Sequence, residues 1–332
     1  MNLSHKIHEA VMKHLSSMSI RERKNASENL IQDLFIDLRV KVNKWAALTQ
    51  QTSQARMGYI GQHLTSIVTG FPGSKTGARG DDLVLPDGRH SEIKTCYRVD
   101  QLGECKNCHT KIATSDKICP ACGSKDLVRK DDSKWLISIP ATEFAQKEFD
   151  DLFKNENFYL VLFEFEDLNN PENIIISIWS VDPRNKGFAY CMLDYYKNIW
   201  AKSKSHAPFN LWSYSLKFEM MAPLLIYRSK IDKNGSIKTI LFPELTPPQP
   251  HKLSDLTELP ARSIDYLSLC NLAKKYGIPI PAKCSTKKLL EIMQTYRKEK
   301  NISDAELIKQ LQNVIYLKSI ADYIDVLPAG IY

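Results

Sequence analysis

Apolar positions along this chain change their spacing several times, and each change marks an element. From 20 to 48, Leu30, Leu34 and Leu38, with Val42 and Trp45 nearby, recur at helical spacing. The stretch SQARMGYIGQHLTSIVTG predicts a second helix, with Ser53 as N-cap and Gly70 as stop. After a glycine-rich loop at 73 to 80 the period shortens. LVL and SEIKTC flank PDGR, where Asp87-Gly88 is a strong hairpin signal. WLISIP (135 to 140), FYLVLFEF (158 to 165) and IIISIWSV (174 to 181) are nearly continuous apolar runs, as strands covered on both faces are. ATEFAQKEFDDLFKN, 141 to 155, predicts a helix between them. Prolines at 243, 247, 248 and 250 give FPELTPPQPHK the composition of a linker, and beyond 255 the pattern is helical. The expected fold is α/β, with a mixed central sheet flanked by helices. The expected domains are an N-terminal helical segment, 1–72, a core, 73–250, with an insertion at 101–128, and a helical C-terminal part, 251–332.

Composition narrows the class only a little. The 332 residues are 43% hydrophobic and 25% charged, enough for a sizeable core in one or two domains. The first twenty residues mix His, Lys and Glu through their apolar positions and contain no signal-peptide h-region. No run approaches the roughly 18 apolar residues of a membrane span, so a cytoplasmic protein without a membrane partner is expected. A net charge of +7 permits a polyanionic partner and does not require one.

Four of the eight cysteines are clustered, and in a reducing compartment such a cluster reads as a metal site. In CKNCHTKIATSDKICPACGS, Cys105 and Cys108 precede Cys119 and Cys122. Two C-x-x-C turns supply the four thiolates of a tetrahedral Zn²⁺, and Gly123 suits the bend after the second. With all four ligands from protein, the ion has no open position and is structural. Cys96, Cys191, Cys270 and Cys284 have no such spacing and read as buried free thiols.

The stretch GARGDDLVLPDGRHSEIKTC concentrates charge around the hairpin. Glu92 and Lys94, two apart on a strand, share a face, and an opposed aspartate joins them. A two-residue turn at 87–88 selects Asp81, whereas a three-residue loop at 87–89 selects Asp82. A surface hairpin with charged edges is the bland reading. The sharper one is a phosphodiesterase site, because Mg²⁺ takes oxygen ligands from one or two carboxylates plus substrate phosphates. The Ile93 carbonyl adds a third oxygen, and Lys94 is placed to activate water and offset charge on the phosphate.

DDLVLPDGRHSEIK resembles the PD-(D/E)XK nuclease signature, in which an Asp precedes E-x-K across a hairpin. That resemblance favours Asp82, which stands just before the apolar Leu83, Val84 and Leu85, although no proline precedes it here. With the cysteine ribbon and RKDDSKWL, residues 55 to 140 resemble type II restriction endonucleases of the MamI kind. The resemblance implies a restriction-endonuclease-like fold and a homodimer cutting an interrupted palindrome in double-stranded DNA. It also implies a cognate methyltransferase protecting the host.

Such nucleases often add an acid from an N-terminal helix. Glu28 is a candidate, although an acid early in a helix more often serves the cap or dipole. Gln62, on the helix before the site, is another candidate. Lys75 and Arg79, in the glycine-rich loop, are candidate phosphate contacts, with a solvated loop as the alternative. TGFPGSKTG lacks the glycine that a P-loop places before its lysine. Residues 283 to 300 hold six Lys or Arg against two Glu, and the helix, loop and helix around Pro279 and Pro281 resemble SAP-like DNA-gripping modules. Lys287 and Lys288 are the candidate contacts there. Two rival functions remain: a repair or recombination nuclease of low sequence preference, and a non-catalytic zinc-ribbon DNA-binding protein.

Overall fold

The computed structural model describes residues 15–49, 58–74, 82–130, 132–213, 215–251 and 266–301. In chain order, α1 (Ile20–Leu30) passes through a π-helical stretch (Ile31–Asp37) into α2 (Leu38–Thr49), and α3 (Gly58–Thr69) follows. Then come β1 (Leu83–Val84), β2 (His90–Tyr97), β3 (Leu102–Cys105), β4 (Lys111–Ala113), β5 (Leu127–Val128), β6 (Trp135–Ile137), α4 (Ala145–Leu152), β7 (Phe158–Phe165) and β8 (Ile174–Val181). The series continues with α5 (Lys186–Asp194), β9 (Phe209–Leu211), α6 (Leu216–Met220), β10 (Leu224–Ile231), β11 (Ile237–Leu241), α7 (Tyr266–Lys275) and α8 (Thr286–Lys300).

The chain divides into two compact units. One comprises 1–135, 155–180 and 224–249; the other comprises 136–154, 181–223 and 250–332. The first holds a mixed sheet in the order β1-β2-β7-β8-β10-β11. β2 runs parallel to β7, whereas β1 pairs with β2, β8 with β10 and β10 with β11 in antiparallel fashion. A parallel pair needs a crossover, and the connection from β2 to β7 carries the cysteine insertion. Ile31, Phe35, Ile60, Leu64 and Val68 from the helices bury against Ile93, Val161, Phe163, Ile176, Ile178 and Tyr227 of the sheet. The restriction-endonuclease-like α/β expectation therefore holds.

Capping explains where the first helix starts. Ser19 accepts from the Glu22 N–H while the Glu22 carboxylate accepts from the Ser19 N–H, which satisfies two donors that a helix start leaves open. α3 ends where expected, at Gly70 with φ +76°. The proposed N-cap Ser53 lies outside the described residues. WLISIP pairs only as Trp135–Ile137, although burial alternates on through Ile139; the ladder stops ahead of Pro140, which has no N–H to give.

The insertion is a small three-stranded sheet, β4-β3-β5, with its own core of Cys105, Ile112 and Cys119. Its root is clamped. Buried Arg98 donates to the Ser133 carbonyl at 3.4 Å and pairs with Glu164 at 3.2 Å, and the Gln101 side chain meets the Ser133 hydroxyl. The second unit gathers Leu269, Leu272, Leu289 and Met293 of α7 and α8 around a core that includes Met220. Among the described residues no helix is long and apolar enough to cross a membrane.

Candidate active site and metal centre

Turn chemistry decides which acid faces which. The ladder of β1 and β2 pairs Leu83 with Ser91 and Val84 with His90, a register different from both expected ones. The reason is Pro86. The Gly88 N–H donates to the Leu85 carbonyl at 2.9 Å, and the Leu85 N–H to the Arg89 carbonyl at 2.8 Å. The loop is thus Pro86-Asp87-Gly88, with Pro at the first central position of a turn and Gly88 at φ +82° where the chain bends back. Carried one step beyond Leu83, this register sets Asp82 opposite Glu92, instead of Ile93 or Lys94.

Asp82, Glu92 and Lys94 come together at this edge. Asp82 Oδ2 accepts from the Ile93 N–H at 2.8 Å, and its Oδ1 accepts from Gln62 Nε2 on α3. Lys94 Nζ pairs with Glu92 Oε1, with both side chains partly exposed. Burial, and after it the Glu92 charge, push Asp82 up to about 6 against the pull of the Ile93 N–H, Lys94 and Gln62. Two acids that repel one another at a half-buried sheet edge are a donor set that a divalent cation would relieve, so these residues fit Mg²⁺.

The Ile93 carbonyl also has the right direction. The Glu92 N–H donates to the Asn157 carbonyl on the β7 side, so by strand alternation the Ile93 peptide groups face the Asp82 edge, as the Ile93 N–H bond to Asp82 already requires. The paired residues of β1 end at Leu83.

Glu28 has other partners. Its Oε1 accepts from the Thr239 N–H at 3.1 Å and from Lys24 at 2.9 Å, tying α1 to β11. Burial raises its pKa, but the bonds from Thr239 and Lys24 outweigh it and the net direction is down. Asp81, Lys75 and Arg79 lie outside the described residues. Lys287 and Lys288 are exposed on α8, where Lys288 meets Glu291 at 3.3 Å.

The four cysteines converge. Their sulfurs lie within 4.8 Å of one another, with Cys105 and Cys122 at 3.6 Å and Cys108 and Cys119 at 3.5 Å. A tetrahedral ion with Zn–S of about 2.3 Å needs sulfurs about 3.8 Å apart, so the cluster fits zinc. The two knuckles repeat one geometry. His109 N–H donates to the Cys105 carbonyl and Gly123 N–H to the Cys119 carbonyl, both at 2.9 Å, with His109 at φ 59° and Gly123 at φ 71°. Of the other four cysteines, Cys96, Cys191 and Cys270 are buried and Cys284 is half-buried, and none is in a disulfide.

The family model described as MamI restriction endonuclease matches residues 44–258. The type II restriction enzyme MamI of Microbacterium ammoniaphilum is 31% identical over 173 residues, which cover 52% of this chain and 49% of that enzyme. The chain thus spans about half the length of the curated relative it matches. No solved structure matches. A match over most of the chain, containing both the Asp82, Glu92, Lys94 edge and the cysteine ribbon, places this protein in the MamI restriction endonuclease family.

Proposed function

We propose that this protein is an Mg²⁺-dependent type II restriction endonuclease, cutting double-stranded DNA at a specific, palindromic site. The observation that carries the reading is the meeting of Asp82, Glu92 and Lys94 at an edge of the sheet. Asp82 and Glu92, with the Ile93 carbonyl, are the groups to hold Mg²⁺, which when bound acidifies a coordinated water and offsets phosphoryl charge. Lys94 orients that water and holds positive charge beside the scissile phosphate. Cys105, Cys108, Cys119 and Cys122 hold a structural Zn²⁺.

The rest of the reading follows from this one. Half-sites of a palindrome call for a homodimer, since a two-fold protein matches a two-fold sequence. Lys75, Arg79, Lys287 and Lys288 supply phosphate contacts, and the helical part from 251 is a DNA-gripping module added to the core of 73–250. A cognate methyltransferase protects the host, and the pair works in the cytoplasm.

Plasmid digestion tests the proposal. With Mg²⁺, the zinc-loaded protein yields discrete fragments; with EDTA, or with Lys94→Ala, the plasmid stays intact. A smear in place of fragments points to a repair nuclease of low sequence preference. DNA binding that survives EDTA, with intact plasmid throughout, points to a non-catalytic zinc-ribbon protein.

A further inference from the structure

We infer that Gln62 is a positioning residue for the Asp82 carboxylate, holding it in the orientation that faces Glu92; the inference rests on the metal-site reading above. Asp82 lies just before the paired part of β1, whose ladder begins at Leu83, so strand pairing does not fix its side chain. Two hydrogen bonds do. The Ile93 N–H holds Oδ2, and the Gln62 amide holds Oδ1. An ionised carboxylate only accepts, so Gln62 presents its NH₂. Each oxygen has two lone-pair directions, and one bond apiece leaves the others open to a cation.

The reach of Gln62 is built into the packing of α3 on β2. A Cβ on Gly61 would sit 2.1 Å from Thr95 Oγ1, so only glycine lets the helix approach this strand so closely. That approach brings the next residue, Gln62, to Asp82. Thr65 Oγ1 donates to the Gly61 carbonyl at 2.8 Å and braces the same turn. The arrangement resembles a supporting donor beside a metal ligand, whose loss ordinarily weakens metal binding by about 10- to 100-fold.

The test uses intact zinc-loaded protein without DNA and Mn²⁺ in place of Mg²⁺, with free Mn²⁺ followed by electron paramagnetic resonance. Gln62→Ala and the volume-keeping Gln62→Met are compared with wild type and with Asp82→Asn. The expected result is Mn²⁺ binding about 10- to 100-fold weaker in both Gln62 variants, at unchanged zinc content and melting temperature. In cleavage assays the defect then falls on the metal concentration for half-maximal rate more than on kcat. Wild-type Mn²⁺ affinity in Gln62→Met overturns the inference while leaving the metal site intact. Wild type binding Mn²⁺ no better than Asp82→Asn overturns the metal-site reading itself, and this inference with it.

Discussion

Asp82 shows at the scale of one residue how burying a carboxylate costs stability. Its folded pKa of about 6 lies above the unfolded value near 3.9. Such an acid binds its proton more tightly when folded, so the native state loses stability as pH rises from about 4 to about 6, and above that the cost is complete. Asp82→Asn is therefore expected to raise the melting temperature at pH 7.5 without divalent ions. The gain is on the order of 1 kcal/mol, discounted because the group is half-exposed, and it shrinks at pH 4. Thermal melts at the two pH values check it; a variant less stable than wild type at pH 7.5 refutes it. Glu92 and Lys94 are legible from E-x-K spacing, and the nearby hairpin adds an aspartate but leaves Asp81 and Asp82 open. The identity of the facing pair is not legible, because Pro86 moves the turn and with it the register.

For elements, close helix-to-strand contact matters more than propensity. α3 reads from its periodicity, and its burial follows: Ile60, Leu64 and Val68 face the sheet. Gly61 weakens it as a helix and yet permits the contact with Thr95. Gly61→Ala should gain helix propensity and still lose about 1–3 kcal/mol, because the added methyl has nowhere to go but into Thr95. Chemical denaturation measures this, and a stabilised variant would show that the helix can slide away at no cost. The strands Phe158–Phe165 and Ile174–Val181 match their apolar runs residue for residue. β10 and β11 were not foreseen. Tyr227, Arg228, Ser229 and Lys230 interrupt the apolar signal, and only pairing with β8 shows the alternation of buried and half-buried positions along β10.

On the scale of the whole molecule, separate cores predict separate stabilities. The ribbon cluster around Cys105, Ile112, Cys119 and Leu127 is distinct from the sheet core around Ile93, Val161 and Phe163. Removing zinc with a zinc-selective chelator should unfold the ribbon alone, since thiolates left without their ion repel. One equivalent of zinc per chain should be released to a colorimetric chelator, while the main cooperative transition and most of the circular dichroism persist. Collapse of the whole transition on zinc loss would show that the ribbon root at Arg98 and Ser133 couples the two.

Local chemistry in the sequence determined the four-cysteine cluster, the apolar strands and the charged hairpin, because spacing within a turn or a strand obeys short-range geometry. Tertiary structure alone decided that Asp82 faces Glu92, that Gln62 reaches Asp82 across the Gly61 contact, and that Glu28 binds the Thr239 N–H. Those outcomes depend on where a turn begins and how near two backbones come. Such distances are set by the packing of segments far apart in the chain.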